Sequence, residues 1–204
     1  MKENQRFSEI RLDGGNLSLD FVNTIHDRYE EPIKDYLRHY PDLVGWAHFS
    51  KAITGPQKER LLQQSREYQR EAEQIYQESK QLREAIYDYI VSLINQGKVH
   101  PDNTRLMNQW LSKAFSNLEL IRSGDSFELD WKADSFGLES VLWPIIKSFT
   151  DLITSDARGR IRLCPNCGWA FVDRSKNSSR RWCSMETCGN REKARRHAKK
   201  KAHN

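Results

Sequence analysis

All four cysteines of this 204-residue chain lie in its last fifth, as Cys164-x2-Cys167 and Cys183-x4-Cys188. Zinc bound by four thiolates needs two such pairs, each close enough in sequence to chelate from one turn. In Cys164-Pro-Asn-Cys167-Gly168 two residues make the turn, and the glycine allows a positive φ after it. Cys183-Ser-Met-Glu-Thr-Cys188 is a wider pair that opens into Gly189-Asn190, and the spacer of 15 residues suits a hairpin between the two knuckles. The pattern points to one structural Zn2+ with no coordination position left for water. His197 or His203 could add a ligand, but four thiolates do not require one. The largest hydrophobes here are Trp169, Phe171 and Trp182, which either build a miniature core beside the metal or offer faces for stacking on bases. With so little apolar content the segment is expected to fold only with its metal, whose binding contributes about 10 kcal/mol or more.

Charge is concentrated in the same segment. The chain carries a net +5, yet from Arg158 onward there are 14 Lys or Arg against 3 Asp or Glu, which leaves the preceding residues net acidic. One cationic stretch holds Arg174, Lys176, Arg180 and Arg181 among serines and an asparagine, and is expected at a hairpin tip. The other holds Arg191, Lys193, Arg195, Arg196, Lys199 and Lys200 in a strongly helix-forming run whose neutral stripe is only Ala194, Ala198 and Ala202. Cations at this density repel one another unless a polyanion neutralises them. Arginine, serine and asparagine suit phosphate contact, and a basic helix fits the major groove. Without an apolar face such a helix has nothing to insert into a membrane.

Residues 1–157 are expected to form a helix-rich α+β domain and 158–204 a treble-clef or ribbon-like zinc finger that ends in the basic helix. Phe7–Leu12 alternates like a strand, and Leu17–Ile25 suits either a strand or a buried helix. Between Pro56 and Gly97 apolar and small residues recur at steps of four and three, from Leu61 to Leu93. This predicts one long helix or a bent pair, presenting a core stripe or the seam of a homodimer. A helix after Pro101 carries Leu106 to Leu118. Two strands then flank Ser123-Gly124-Asp125, and a further helix is interrupted or bent at Pro144. The opening Met-Lys-Glu-Asn-Gln-Arg lacks the apolar stretch of a signal peptide and no run spans a bilayer, so a cytoplasmic, reducing location is expected.

The segments Cys164-Pro-Asn-Cys-Gly-Trp-Ala-Phe171, Asp173-Arg-Ser-Lys176, Arg180-Arg-Trp-Cys-Ser-Met185 and Cys188-Gly189-Asn190-Arg191 resemble the bacterial CGNR zinc-finger family. Upstream, Gly15-Asn-Leu17-Ser-Leu-Asp20-Phe-Val-Asn23-Thr24 resembles the opening signature of the ABATE domain, which precedes that finger in the family. The resemblance implies a stress-responsive transcription regulator whose finger binds double-stranded DNA, with Cys188 on zinc, Asn190 capping the basic helix and Arg191 projecting from its first turn. It also implies a first domain that senses a ligand. Asp20, Asn23 and Thr24, polar groups in an apolar stretch, either bond to backbone or bind that ligand. RNA binding and docking on an acidic protein remain the alternatives. Catalysis is not expected, because the six histidines are scattered and no phosphate loop or nucleophile motif is present.

Overall fold

The computed structural model describes residues 10–132 and 136–202, where most helices begin at side-chain caps or first-turn prolines. Asn16 accepts the Ser18 amide at 3.0 Å and opens α1 (Leu17–Val22). His39 caps α2 (Tyr40–Phe49), with Pro41 in its first turn. Thr54 and Gln57 form a reciprocal capping box for α3 (Gly55–Glu67), and Pro56 sits in the first turn. Tyr68, at φ −117° and ψ 57°, breaks the chain before α4 (Gln69–Ile94), so the long amphipathic stretch is a bent pair. Next come α5 (Pro101–Phe115) and the antiparallel hairpin of β1 (Leu118–Ser123) and β2 (Ser126–Trp131). A tight 3-10 turn at Leu138–Leu142 leads into α6 (Trp143–Thr154), where Pro144 starts a helix instead of kinking one. The chain ends with a second antiparallel pair, β3 (Ile161–Leu163) and β4 (Ala170–Val172), and then α7 (Asn190–Ala202). The result is a helix-rich α+β protein with a C-terminal four-cysteine finger. No helix among the described residues is long and apolar enough to cross a membrane.

The core is built around α1, which packs on α6, α4 and β4 and buries every residue from Ser18 to Val22. Trp46 of α2, Trp110 of α5 and Trp143 of α6 are fully enclosed around it. Each large apolar side chain buried in this way contributes about 1.5–3 kcal/mol. Ile161, Ala170 and Val172 belong to this same core, so the β3–β4 pair packs against the helices and shares their hydrophobic interior.

Several expectations change in the structure. Of the strand expected at Phe7–Leu12, residues 7–9 lie outside the described residues, as does His203, and Ile10–Leu12 is irregular although Ile10 is buried. The stripe from Leu61 to Ile86 faces the core, and only its outliers Tyr68 and Leu93 are exposed, so it is not available as a coiled-coil seam. Leu118, expected both at the end of the helix after Pro101 and at the start of a strand running to Ile121, opens β1 and is not part of α5. The hairpin expected between the knuckles is displaced: β3 and β4 flank the first knuckle, which is itself the hairpin turn. Arg174 to Arg181 consequently lie in an irregular loop folded around Asp173, whose carboxylate accepts the amides of Ser175 and Arg180. Asn190 does not cap α7. It has helical backbone angles, and its side chain donates to the Glu186 carbonyl of the preceding wide turn.

The loop between α1 and α2 is closed by Arg83. His26 N–H donates to Lys34 C=O and Tyr36 N–H to Thr24 C=O, at 2.9 and 3.0 Å. The buried Arg83 guanidinium then reaches Thr24 Oγ1 and Asp35 Oδ1, both at 2.9 Å. Removing one partner of such a pair leaves a charge enclosed without its counterion. Arg83→Met is expected to lower stability by about 3 kcal/mol in urea unfolding, and adding Asp35→Asn is expected to restore part of that loss.

Candidate metal centre and nucleic-acid interface

The four cysteines come together as their spacing implies. Each is buried, and all four sulfurs lie within 4.8 Å of one another. The sulfurs of Cys167, Cys183 and Cys188 are 3.6 Å apart pairwise. A zinc tetrahedron with bonds of about 2.3 Å has edges of about 3.8 Å, whereas a disulfide requires about 2.05 Å, so the set fits zinc. Burial pushes the Cys188 thiol up, and the neighbouring Cys164 adds to the shift. Four thiolates this close therefore require a dication to hold them, and the centre is a structural Zn2+ site with all four positions filled by sulfur.

The first knuckle is shaped by its own backbone: Gly168 N–H donates to Cys164 C=O and Cys164 N–H to Trp169 C=O, at 2.9 and 2.8 Å. Gly168 has φ 73°, and a Cβ there would stand 3.0 Å from Arg28 Cβ, so the position needs glycine both for its conformation and for the approach of the loop. Asn166 Nδ2 donates to Cys188 C=O at 2.7 Å and ties the first knuckle to the second. Phe171 is fully buried beside the metal centre. Trp169 is also buried, and its indole N–H reaches Ile25 C=O at 2.7 Å, so it is a docking group for the first domain and its face is not open to bases. Trp182 is partly exposed, with the Arg181 guanidinium 4.9 Å above its ring.

Asp20, Asn23 and Thr24 lie on α1 and the turn after it, and of the three Asn23 bonds directly to the finger. The Asn23 side chain accepts from Ala170 N–H and donates to Ala170 C=O, both at 2.9 Å. Thr24 Oγ1 donates to Phe21 C=O at 2.7 Å and accepts from Arg83. Asp20 Oδ1 accepts the Gly14 amide at 2.8 Å, and a Cβ on Gly14 would come within 2.9 Å of that oxygen. Burial, reinforced by Asp13 and opposed by the Gly14 amide, raises the Asp20 carboxyl to about 7. The stretch around Gly14 also receives the finger, with Val172 N–H donating to Gly14 C=O at 2.9 Å.

The cations divide into two groups. Arg174 donates to Gly15 C=O at 2.6 Å. Arg180 donates to Asp13 C=O and to Cys183 C=O and lies over the Phe171 ring at 4.6 Å. Arg191 pairs with buried Asp27 at 3.1 Å, and Arg195 reaches Asn166 at 3.4 Å. These four point back into the protein. On α7, Lys193, Arg196 and Lys200 fall on the side of the helix opposite Arg191 and Arg195, and all three are exposed. Lys176 and Arg181 are exposed on the loop, and Lys199 is exposed on the helix. Sequence reasoning missed the receiving groups Asp13, Asp27 and Arg28. Arg28 N–H donates to Cys167 C=O at 3.0 Å, and its side chain is held by Glu84 and by the Tyr87 ring. No local spacing marks such residues, because their partners lie far along the chain.

Two variants test this seam. Asn23→Ala deprives both backbone groups of Ala170 of their partner and is expected to cost about 2–4 kcal/mol in chemical denaturation. For Asp20 the native state holds a proton that the unfolded chain releases above about pH 4. Its contribution to stability is therefore full below that pH and is lost as pH rises through about 7. Asp20→Asn keeps an acceptor for Gly14 without the charge. It is expected to raise the melting temperature by about 3–6 °C at pH 8 and to leave it nearly unchanged at pH 4.

Comparison with the curated proteins finds no match. Family models match nearly the whole chain: residues 160–201 match the CGNR zinc finger, and residues 15–156 match ABATE, a family described as "Putative stress-induced transcription regulator". With its opening signature packed against a four-cysteine finger, the chain belongs to the ABATE family and carries a CGNR zinc finger.

Proposed function

We propose that this protein is a DNA-binding transcription regulator acting in the cytoplasm, with zinc as the scaffold of its finger. The observation that carries the reading is the outward face of α7. Lys193, Arg196 and Lys200, of which Arg196 also pairs along the helix with Glu192 at 3.0 Å, form a cationic row on a helix whose other side is tied to Asp27 of the first domain by Arg191 and to Asn166 of the first knuckle by Arg195. Lys176 and Arg181 extend the charge across the adjoining loop. A helix anchored on one side and cationic on the other is suited to lie against a phosphate backbone with its far face in the major groove. The N-terminal domain would set the angle of that helix, because the finger is bonded to it at Gly14, Gly15, Asn23, Ile25, Asp27 and Arg28. In this reading Asp20, Asn23 and Thr24 serve regulation by holding the seam, and a ligand would act by loosening or tightening it.

The test is fluorescence anisotropy on labelled duplex DNA across several salt concentrations, with a structured RNA as competitor. Replacing Lys193, Arg196 and Lys200 together with Ala is expected to weaken binding about 10- to 100-fold. It should also lower the salt slope by roughly 2–3, while zinc content stays unchanged. Preference for the RNA would make the protein an RNA binder. Weak affinity for both nucleic acids would point to an acidic protein partner.

A further inference from the structure

Three of the four zinc-binding residues, Cys167, Cys183 and Cys188, open onto a cavity of about 130 Å³ between the second knuckle and the first domain. Cys164 does not line it. The remaining walls include Arg11, Thr187 and Arg191. The cavity has room for several waters or one small molecule such as a peroxide, and is smaller than the pockets of about 300–1,000 Å³ that take drug-sized ligands. It also brings together an unusual set of groups: sulfurs that zinc keeps as thiolates, two guanidiniums that favour developing negative charge, and a hydroxyl donor next to Cys188. The guanidiniums are held in place, Arg191 by Asp27 at 3.1 Å and Arg11 by Asp13 and Glu186 at 3.0 and 3.2 Å.

From this arrangement we infer that the second knuckle is a peroxide-sensitive modification site, at which hydrogen peroxide converts Cys183 and Cys188 into a disulfide. The Cys188 sulfur attacks one peroxide oxygen. The S–O bond forms as the O–O bond breaks, and the departing hydroxide takes a proton from solvent to become water. The Cys183 sulfur, 3.6 Å away, then attacks the sulfenic sulfur. The S–S bond forms, the S–O bond breaks, and the second hydroxide is protonated to water. Two thiolates, one peroxide and two protons give one disulfide and two waters, and the two electrons lost by sulfur reduce the peroxide. Cys183 is the partner because it shares a short loop with Cys188. Cys167, although equally close, is fixed on the first knuckle by the Arg28 amide on its carbonyl.

Losing two of its four thiolates leaves the site unable to retain the metal. The first knuckle stays bonded to the body through buried Asn23 and Trp169, whereas the second is tied by Asn166 to Cys188, Arg191 to Asp27, Arg11 to Glu186 and Arg180 to the Cys183 and Asp13 carbonyls, contacts that are exposed or only partly buried. Oxidation therefore frees the segment that carries α7. The effect on nucleic-acid binding rests on the function proposed above; the oxidation itself does not.

The experiment uses the full-length, zinc-loaded protein, with peroxide added in steps in the presence of a chromogenic zinc chelator, followed by peptide mass mapping. About one zinc is expected to leave per peroxide consumed, with a Cys183–Cys188 bridge and recovery on adding a thiol reductant and zinc. Thr187→Val is expected to keep zinc content and melting temperature but to slow release about tenfold, by removing one hydrogen bond to the departing hydroxide. Should that variant fail to load zinc, Arg11→Gln carries the same test. Zinc retained in excess peroxide, a bridge containing Cys164 or Cys167, or release at the parent's rate in the pocket variant would overturn the proposal. Zinc release without any change in DNA affinity would overturn only the function reading.

Discussion

Ala170 sits on an edge of the finger's small hairpin where both of its backbone groups would otherwise be enclosed without partners, and the amide of Asn23 satisfies them together. A carboxamide carries one acceptor and one donor at the spacing of a peptide group, so it takes the place of a neighbouring strand where no strand could fit. The rest of the arrangement depends on this bond pair. It fixes β4 on α1, which lets Ile161, Ala170 and Val172 complete the helical core and brings Trp169 within reach of Ile25. A hairpin of three-residue strands would not persist alone. Here it is held by the metal at one end and by α1 along its side.

Electrostatics explains why an arginine-rich segment tolerates so much inward-pointing charge. Four thiolates around one dication leave a net negative centre, and buried Asp27 adds to it. Arg191 lies beside this centre, and Arg180 covers the Phe171 ring next to it. Part of the positive charge that marks the C-terminal segment is thus structural neutralisation. The outward remainder is smaller than the composition suggests, but it is collected on one face of α7 and one loop.

The metal centre and the helices were legible in the sequence for one reason: their determinants are local. Two cysteines in a knuckle, a capping box at Thr54 and Gln57, and a glycine after Cys167 each act within a few residues. The seam was not legible, because Asn23 and Ala170 are 147 residues apart and nothing in either neighbourhood names the other. Local reasoning located the polar residues Asp20, Asn23 and Thr24 but not what they face. Of the two roles it offered Trp169, the miniature core beside the metal is the one found, but it gave no sign that the indole N–H also reaches out of the finger to Ile25. The hairpin was misplaced by the same logic: the spacer between the knuckles has the right length for a turn, but the strand partners lie on either side of Cys164 and Cys167, where the apolar residues are.

The shared core has a consequence for how this architecture can be rearranged. Zinc fingers are commonly treated as portable cassettes, cut at a linker and joined to other proteins. Here the cut would expose Ile161, Ala170, Val172 and Trp169 and leave Cys167 and Ala170 with unanswered backbone groups. A transplanted finger would have to bring α1 and the loop behind it, from a distant part of the chain. The two pieces form one joint, and an exchange of either one alone would have to carry residues that match the other half of it.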